Sequence, residues 1–130
     1  MLDHFGLSAP ASSFHDILKF YDAALAPLHY KRKDFIPDQL VGYAADGVNY
    51  DFWIHKKDDG PRQPSHFAFR AESHDQVDQF HAQGVTAGGS DNGKPGIREI
   101  YHPSYYGAFV KDPCGQVKCR KASMVESNMA

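Results

Sequence analysis

Two short stretches of the chain set a histidine in the same surroundings. Residues 3–9 read Asp-His-Phe-Gly-Leu-Ser-Ala, and residues 65–71 read Ser-His-Phe-Ala-Phe-Arg-Ala. In each, apolar residues alternate with period two, the pattern of a half-buried strand. Phe5, Leu7 and Ala9 share one face, as do Phe67, Phe69 and Ala71; His4, Gly6 and Ser8 take the other, with His66, Ala68 and Arg70 at the matching places. Taken singly, a histidine is more often an ordinary polar residue, because imidazole is versatile. Equivalent places in two copies make His4 and His66 candidates for one shared role in a cleft. The small residues beside them leave room for a guest. The pattern names a cleft and stops short of a reaction.

Other residues could shape such a cleft. Trp53, the single tryptophan, falls on the same strand face as Asp51 and His55, where it would either wall a ligand or pack in the core. Tyr101, His102, Tyr105 and Tyr106 form an aromatic run near the expected rim, and alternation sends Tyr105 and Tyr106 to opposite faces, so at most one of those two meets the guest. Arg98 would pair with an anionic substrate or make a surface salt bridge. Cys114 and Cys119, the only cysteines, suit neither a zinc knuckle nor a redox pair. Free thiols fit a reducing cytoplasm. Lys31, Arg32 and Lys33 read as a solvated strand edge. His15, His29, His55, His74 and His81 read as solvated.

The whole chain has 130 residues, room for one domain or two fused half-domains sharing a core. Its net charge of −2 gives no reason to expect nucleic-acid or general membrane binding. No apolar run approaches the roughly 20 residues of a membrane helix, and the start reads as a strand rather than a signal peptide.

The elements that would position these residues follow in order. After the first strand, 10–13 is a turn with Ser13 as helix N-cap. Phe14, Ile17, Leu18, Tyr21 and Leu25 then make a helical apolar stripe that Pro27 ends. Strands are predicted over 28–35, 39–45 and 48–55, with Asp46-Gly47 as a hairpin turn. A charged linker fills 56–64. In the second copy a helix begins at Ser73, with Gln76 completing a capping box and Gly84 as its stop. Residues 86–96 are predicted as a long glycine-rich turn or mobile loop, followed by strands at 97–102, 105–110 and 116–121 and a frayed tail. The expected fold class is α+β: two βαβββ modules, 3–56 and 65–121, forming a curved mixed sheet with a central cleft, with 122–130 a flexible tail.

At this point the chain resembles the vicinal oxygen chelate superfamily, the glyoxalase/bleomycin resistance/dioxygenase group. The resemblance covers about residues 3–121. It is carried by His-Phe at both repeat starts, by Phe20-Tyr21-Asp22-Ala23-Ala24-Leu25-Ala26-Pro27-Leu28, by Asp51-Phe52-Trp53-Ile54, and by the stretch from Asp91-Asn92-Gly93 through Tyr101-His102-Pro103 to Asp112-Pro113. It implies paired βαβββ modules around a U-shaped cleft, often in a homodimer, handling a small oxygenated molecule. Members include isomerases, lyases, dioxygenases and non-catalytic drug binders. In metal-dependent members a divalent ion (Zn, Ni, Fe or Mn) is held from the first and last strands of each module; the first-strand positions match His4 and His66. On the last strands the resemblance offers Asp51 and, where a glutamate is usual, Cys119, or Lys118 after a one-residue deletion. Neither of those is a carboxylate, which leaves the metal-free, sequestering type as the alternative. Trp53, Arg98, His102, Tyr105 and Tyr106 are the expected ligand-binding residues.

Overall fold

The computed structural model describes residues 1–58, 65–113 and 121–127, with only the backbone of Ser65 and of 121–127 described. It forms two four-stranded mixed sheets of like topology. In the first, β1 (Phe5–Ala9), β4 (Phe52–Lys56), β3 (Leu40–Ala44) and β2 (Lys31–Ile36) lie in that order. In the second the order is β5 (Ser65–Ala71), β8 (Lys121–Ser127), β7 (Tyr106–Lys111) and β6 (Ser90–Ile97). Each sheet opens with a parallel pair, Phe5 against Phe52 and His66 against Ala122, and continues antiparallel. The βαβββ repeat read from the two histidine strands is therefore the architecture.

Helix α1 (Phe14–Leu25) buries Phe14, Ile17, Leu18, Phe20, Tyr21 and Leu25. Pro27 cannot continue it, and the chain tightens into a short 3₁₀ turn, Ala26–Leu28. Helix α2 (His74–Thr86) is capped as its sequence predicts: the Ser73 hydroxyl accepts from the Gln76 amide, and the Gln76 side chain accepts from the Glu72 amide. The two helices pack on each other and cover the Phe/Leu faces of the sheets in one continuous core. Phe52 stands at its centre, fully buried, with ring centroids 4.9–5.8 Å from Phe5, Tyr21, Tyr43, Phe67 and Phe69. A buried hydrogen bond crosses the repeat boundary, from the Tyr21 hydroxyl to Asp112 Oδ2 at 2.7 Å.

Several expectations need correcting. Ser13 takes the N-cap position, but its buried hydroxyl finds no hydrogen-bond partner among the described residues. Gly84 does not end α2; it lies inside the helix because a Cβ there would sit 3.1 Å from Phe20 Cε1, so the glycine lets the helices approach. The glycine-rich stretch expected as a loop is largely strand β6. It is an edge strand whose register shifts between Asp91 and Gly93 and again before Gly96, which is how glycines and Pro95 fit a ladder. Residues 98–105 are a turn joining β6 to β7 rather than the strand expected at 97–102. The last strand is Lys121–Ser127, which begins at the last residue of the strand expected at 116–121 and runs into the segment expected as a tail, 122–130; residues 116–120 lie outside the described residues.

Gly89 joins α2 to β6 and has no room for a side chain. A Cβ there would stand 2.4 Å from Phe20 Cε1 and 2.8 Å from both the Gly84 carbonyl oxygen and Val110 Cγ1. Phe20 can shift, but the backbone carbonyl cannot. Gly89→Ala is expected to destabilise by about 2 kcal/mol, within the usual range of overpacking, read as a shift in denaturation midpoint without a change in slope.

Candidate functional site

With one face of each sheet in the core, the His4 and His66 faces are the ones left open. On the first sheet the open face carries an aromatic shelf. The Trp53 ring lies 4.7 Å from Phe35 and 6.1 Å from Tyr50, Phe35 and Tyr50 meet edge to face at 5.0 Å, and the indole N–H donates to the Tyr50 carbonyl at 2.8 Å. The Phe35 and Trp53 rings sit close against the sheet because the floor beneath them has no side chains. A Cβ at Gly42 would come within 3.0 Å of Phe35 and 3.1 Å of Trp53, and one at Gly6 within 3.3 Å of Trp53 Cβ. Lys33 reaches over the shelf, its Nζ 4.9 Å from the Phe35 centroid. Trp53 is half-buried, so it is neither a core residue nor fully solvated.

The second sheet repeats the theme. His66 stacks on Phe109 at 5.8 Å, and the Arg98 guanidinium lies 5.5 Å from the same ring. Arg98 is held from behind: it donates to the carbonyls of Lys94 and Ile97. Gly93 clears the space beneath Phe109, where a Cβ would meet the ring at 2.7 Å.

The remaining sequence candidates are dispersed. His4 is exposed and pairs with Asp3, Nδ1 to Oδ1 at 2.6 Å. Tyr105 is buried in the turn between β6 and β7, its ring against Tyr101 and His102. Tyr106 turns to the helix side instead: its hydroxyl donates to Asp78 at 2.6 Å and His74 stacks on its ring at 3.9 Å. The Asp78 contact pushes the phenol up to about 12. Cys119 and Lys118 lie outside the described residues. Sequence reasoning missed Phe35, Tyr50, Lys33 and Phe109. Phe109 was within reach, since alternation along β7 puts it opposite the core residues Ala108 and Val110.

The donors fit a metal centre only in part. Among the described residues no three His, Cys, Asp or Glu side chains come together as a ligand group. His66 is engaged with Phe109, and Asp51 accepts from the Tyr30 hydroxyl through Oδ2 at 3.1 Å. Asp51 Oδ1 is buried with no hydrogen-bond partner among the described residues, and burial raises its carboxyl above the ordinary range. A raised acid binds more protons folded than unfolded between the two pKa values, so its contribution to stability fades as pH climbs through that window. Asp51→Asn keeps an acceptor for Tyr30 and removes the buried charge. It is expected to be at least as stable as the parent at pH 7, with the parent gaining on it as pH falls toward the normal carboxylate range; melting curves from pH 7 to about 4 check this.

No family model and no curated protein matches the sequence. Solved structures do match. A glyoxalase/bleomycin resistance protein from Albidiferax ferrireducens T118 is 23% identical, with a TM-score of 0.72 over 94% of this chain and 95% of its own. A glyoxalase-related enzyme from Fulvimarina pelagi is 11% identical, TM-score 0.69, over 98% and 88%. A lactoylglutathione lyase from Agrobacterium tumefaciens is 15% identical, TM-score 0.60, over 95% and 91%. This chain has the fold of these glyoxalase/bleomycin resistance proteins. None of the described helices is long and apolar enough to cross a membrane.

Proposed function

We propose that the protein binds a small oxygenated molecule against its open sheet faces, as a cytoplasmic homodimer, with Trp53 forming the principal wall. The observation that carries this reading is the glycine-floored shelf of Trp53, Phe35 and Tyr50. Three rings held partly open to solvent, over two positions kept free of side chains, are costly unless something covers them. Because Trp53 is the only tryptophan, its emission reports directly on the shelf. Small hydroxylated aromatics should quench it and raise the melting temperature. A broad set of such molecules that moves neither signal would overturn the proposal.

The second reading adds a divalent metal and lyase, isomerase or dioxygenase chemistry, with His4, His66 and Cys119 as ligands. What favours it is the matching sequence place of the two histidines, each two residues before a small residue, Gly6 and Ala68 respectively. Under this reading purified protein holds about one ion per site and His66→Ala releases it. Metal-free protein that gains no activity with Zn, Ni, Mn or Fe leaves the binder.

A further inference from the structure

Charge is sorted between the two faces of the first sheet. On β2, Lys31, Lys33 and Phe35 take the open face, while Arg32 and Asp34 turn toward α1, where Arg32 pairs with Asp22 and Asp34. On β6, Asp91 turns toward α2 and pairs with His81 at 2.7 Å, opposite the buried Val110. Lys111, the cross-strand partner of Ser90, alternates with Val110 onto the open face. Among the described strand side chains of the first sheet, none of those on the open face is acidic. In a chain of net charge −2 this is not a by-product of composition.

Two of the open-face cations stand against rings. Lys33 Nζ is 4.9 Å from the Phe35 centroid and 6.0 Å from that of Tyr50, and Arg98 stands over Phe109; neither has a carboxylate partner among the described residues. An ammonium beside a ring face gains a modest attraction and keeps its hydrogen-bond donors for another group. A carboxylate can take those donors in charge-assisted bonds, which are roughly twice as strong as neutral ones.

We infer that the ligand class is a planar aromatic carboxylate, its ring on the shelf of Trp53 and Phe35 and its anionic group on Lys33. This rests on the small-molecule reading above and narrows it. The ring supplies apolar contact that any flat aromatic shares. The lysine supplies the discrimination, and it acts only on the charged form of the ligand.

Isothermal titration of the full-length protein with 2-naphthoate and with 2-naphthamide, which differ in charge and hardly in shape, tests this. The carboxylate should bind about tenfold more tightly than the amide, as a single charge-assisted contact predicts, and the difference should shrink in high salt. Lys33→Met, which keeps the apolar stem over Phe35, should bring the two ligands within about threefold of each other, chiefly by weakening the carboxylate. Equal affinities in the parent protein overturn the anion inference and leave the shelf intact. A preference that survives in Lys33→Met overturns the assignment to Lys33, and Arg98→Gln then shows whether the other cation carries it. Binding of neither compound overturns the inference together with the reading beneath it.

Discussion

Phe52→Ala is expected to cost about 3–5 kcal/mol, the usual range for a large ring removed from a packed core. The value should lie in the upper part of that range because of where the ring stands. Phe52 touches Phe5 and Tyr43 within its own repeat, Tyr21 on α1, and Phe67 and Phe69 of the second repeat. Its neighbours belong to two sheets and a helix, so no single element can move in to fill the space. For a chain of this length the melting temperature should fall by about 10 °C or more. Equilibrium denaturation in urea measures the loss, and a single coincident transition by fluorescence and circular dichroism should persist. If the two repeats instead unfold in separate steps in the parent protein, Phe52 does not weld them.

Trp53→Ala is the second large effect, and it belongs to binding rather than folding. The ring is half-buried on the open face, and its removal leaves the core cluster untouched. Truncating a tryptophan at the centre of a contact surface typically costs 2 kcal/mol or more, about thirtyfold in affinity. Calorimetric titration with 2-naphthoate should show at least that loss while urea stability changes by less than about 1 kcal/mol. The opposite pattern, lost stability with retained binding, would make Trp53 a packing residue.

Much of this was legible from residue order alone. The twofold repeat follows from His-Phe recurring at the head of an alternating strand, and α1 follows from the spacing of Phe14 through Leu25. The misreadings have a common cause: glycine signals several things. At Gly84 it permits contact between helices instead of ending one, and in 90–97 it permits bulges in an edge strand instead of a free loop. Which of these holds depends on what lies across the gap, Phe20 in one case and Phe109 in the other, and that partner is distant in sequence. The site was legible to a lesser degree. Alternation reads Trp53 onto the cleft face, and its ring stands on the open face of the first sheet; Arg98 is read only as the partner of an anion or of a surface salt bridge, and it lies in the turn after β6, over Phe109. Tyr106 lies on the helix side because alternation along β7 sets it on the face of Ala108 and Val110, where Asp78 accepts from its hydroxyl. Phe35 escaped notice because it meets Trp53 only over Gly42, on strands brought together by register rather than by sequence; Tyr50 reads by alternation onto the face of Phe52 and Ile54, but it precedes β4 and its ring meets Phe35 and Trp53.

The most direct test of the account is a ¹H–¹⁵N map of the full-length protein titrated with 2-naphthoate. Shifts should centre on the Trp53 indole N–H and on the backbone amides of Gly6 and Gly42, with the helices α1 and α2 silent on their outer faces. Shifts confined to the helix side, around His15, Lys19 and Arg32, would contradict it and move the binding site to the other side of the sheet.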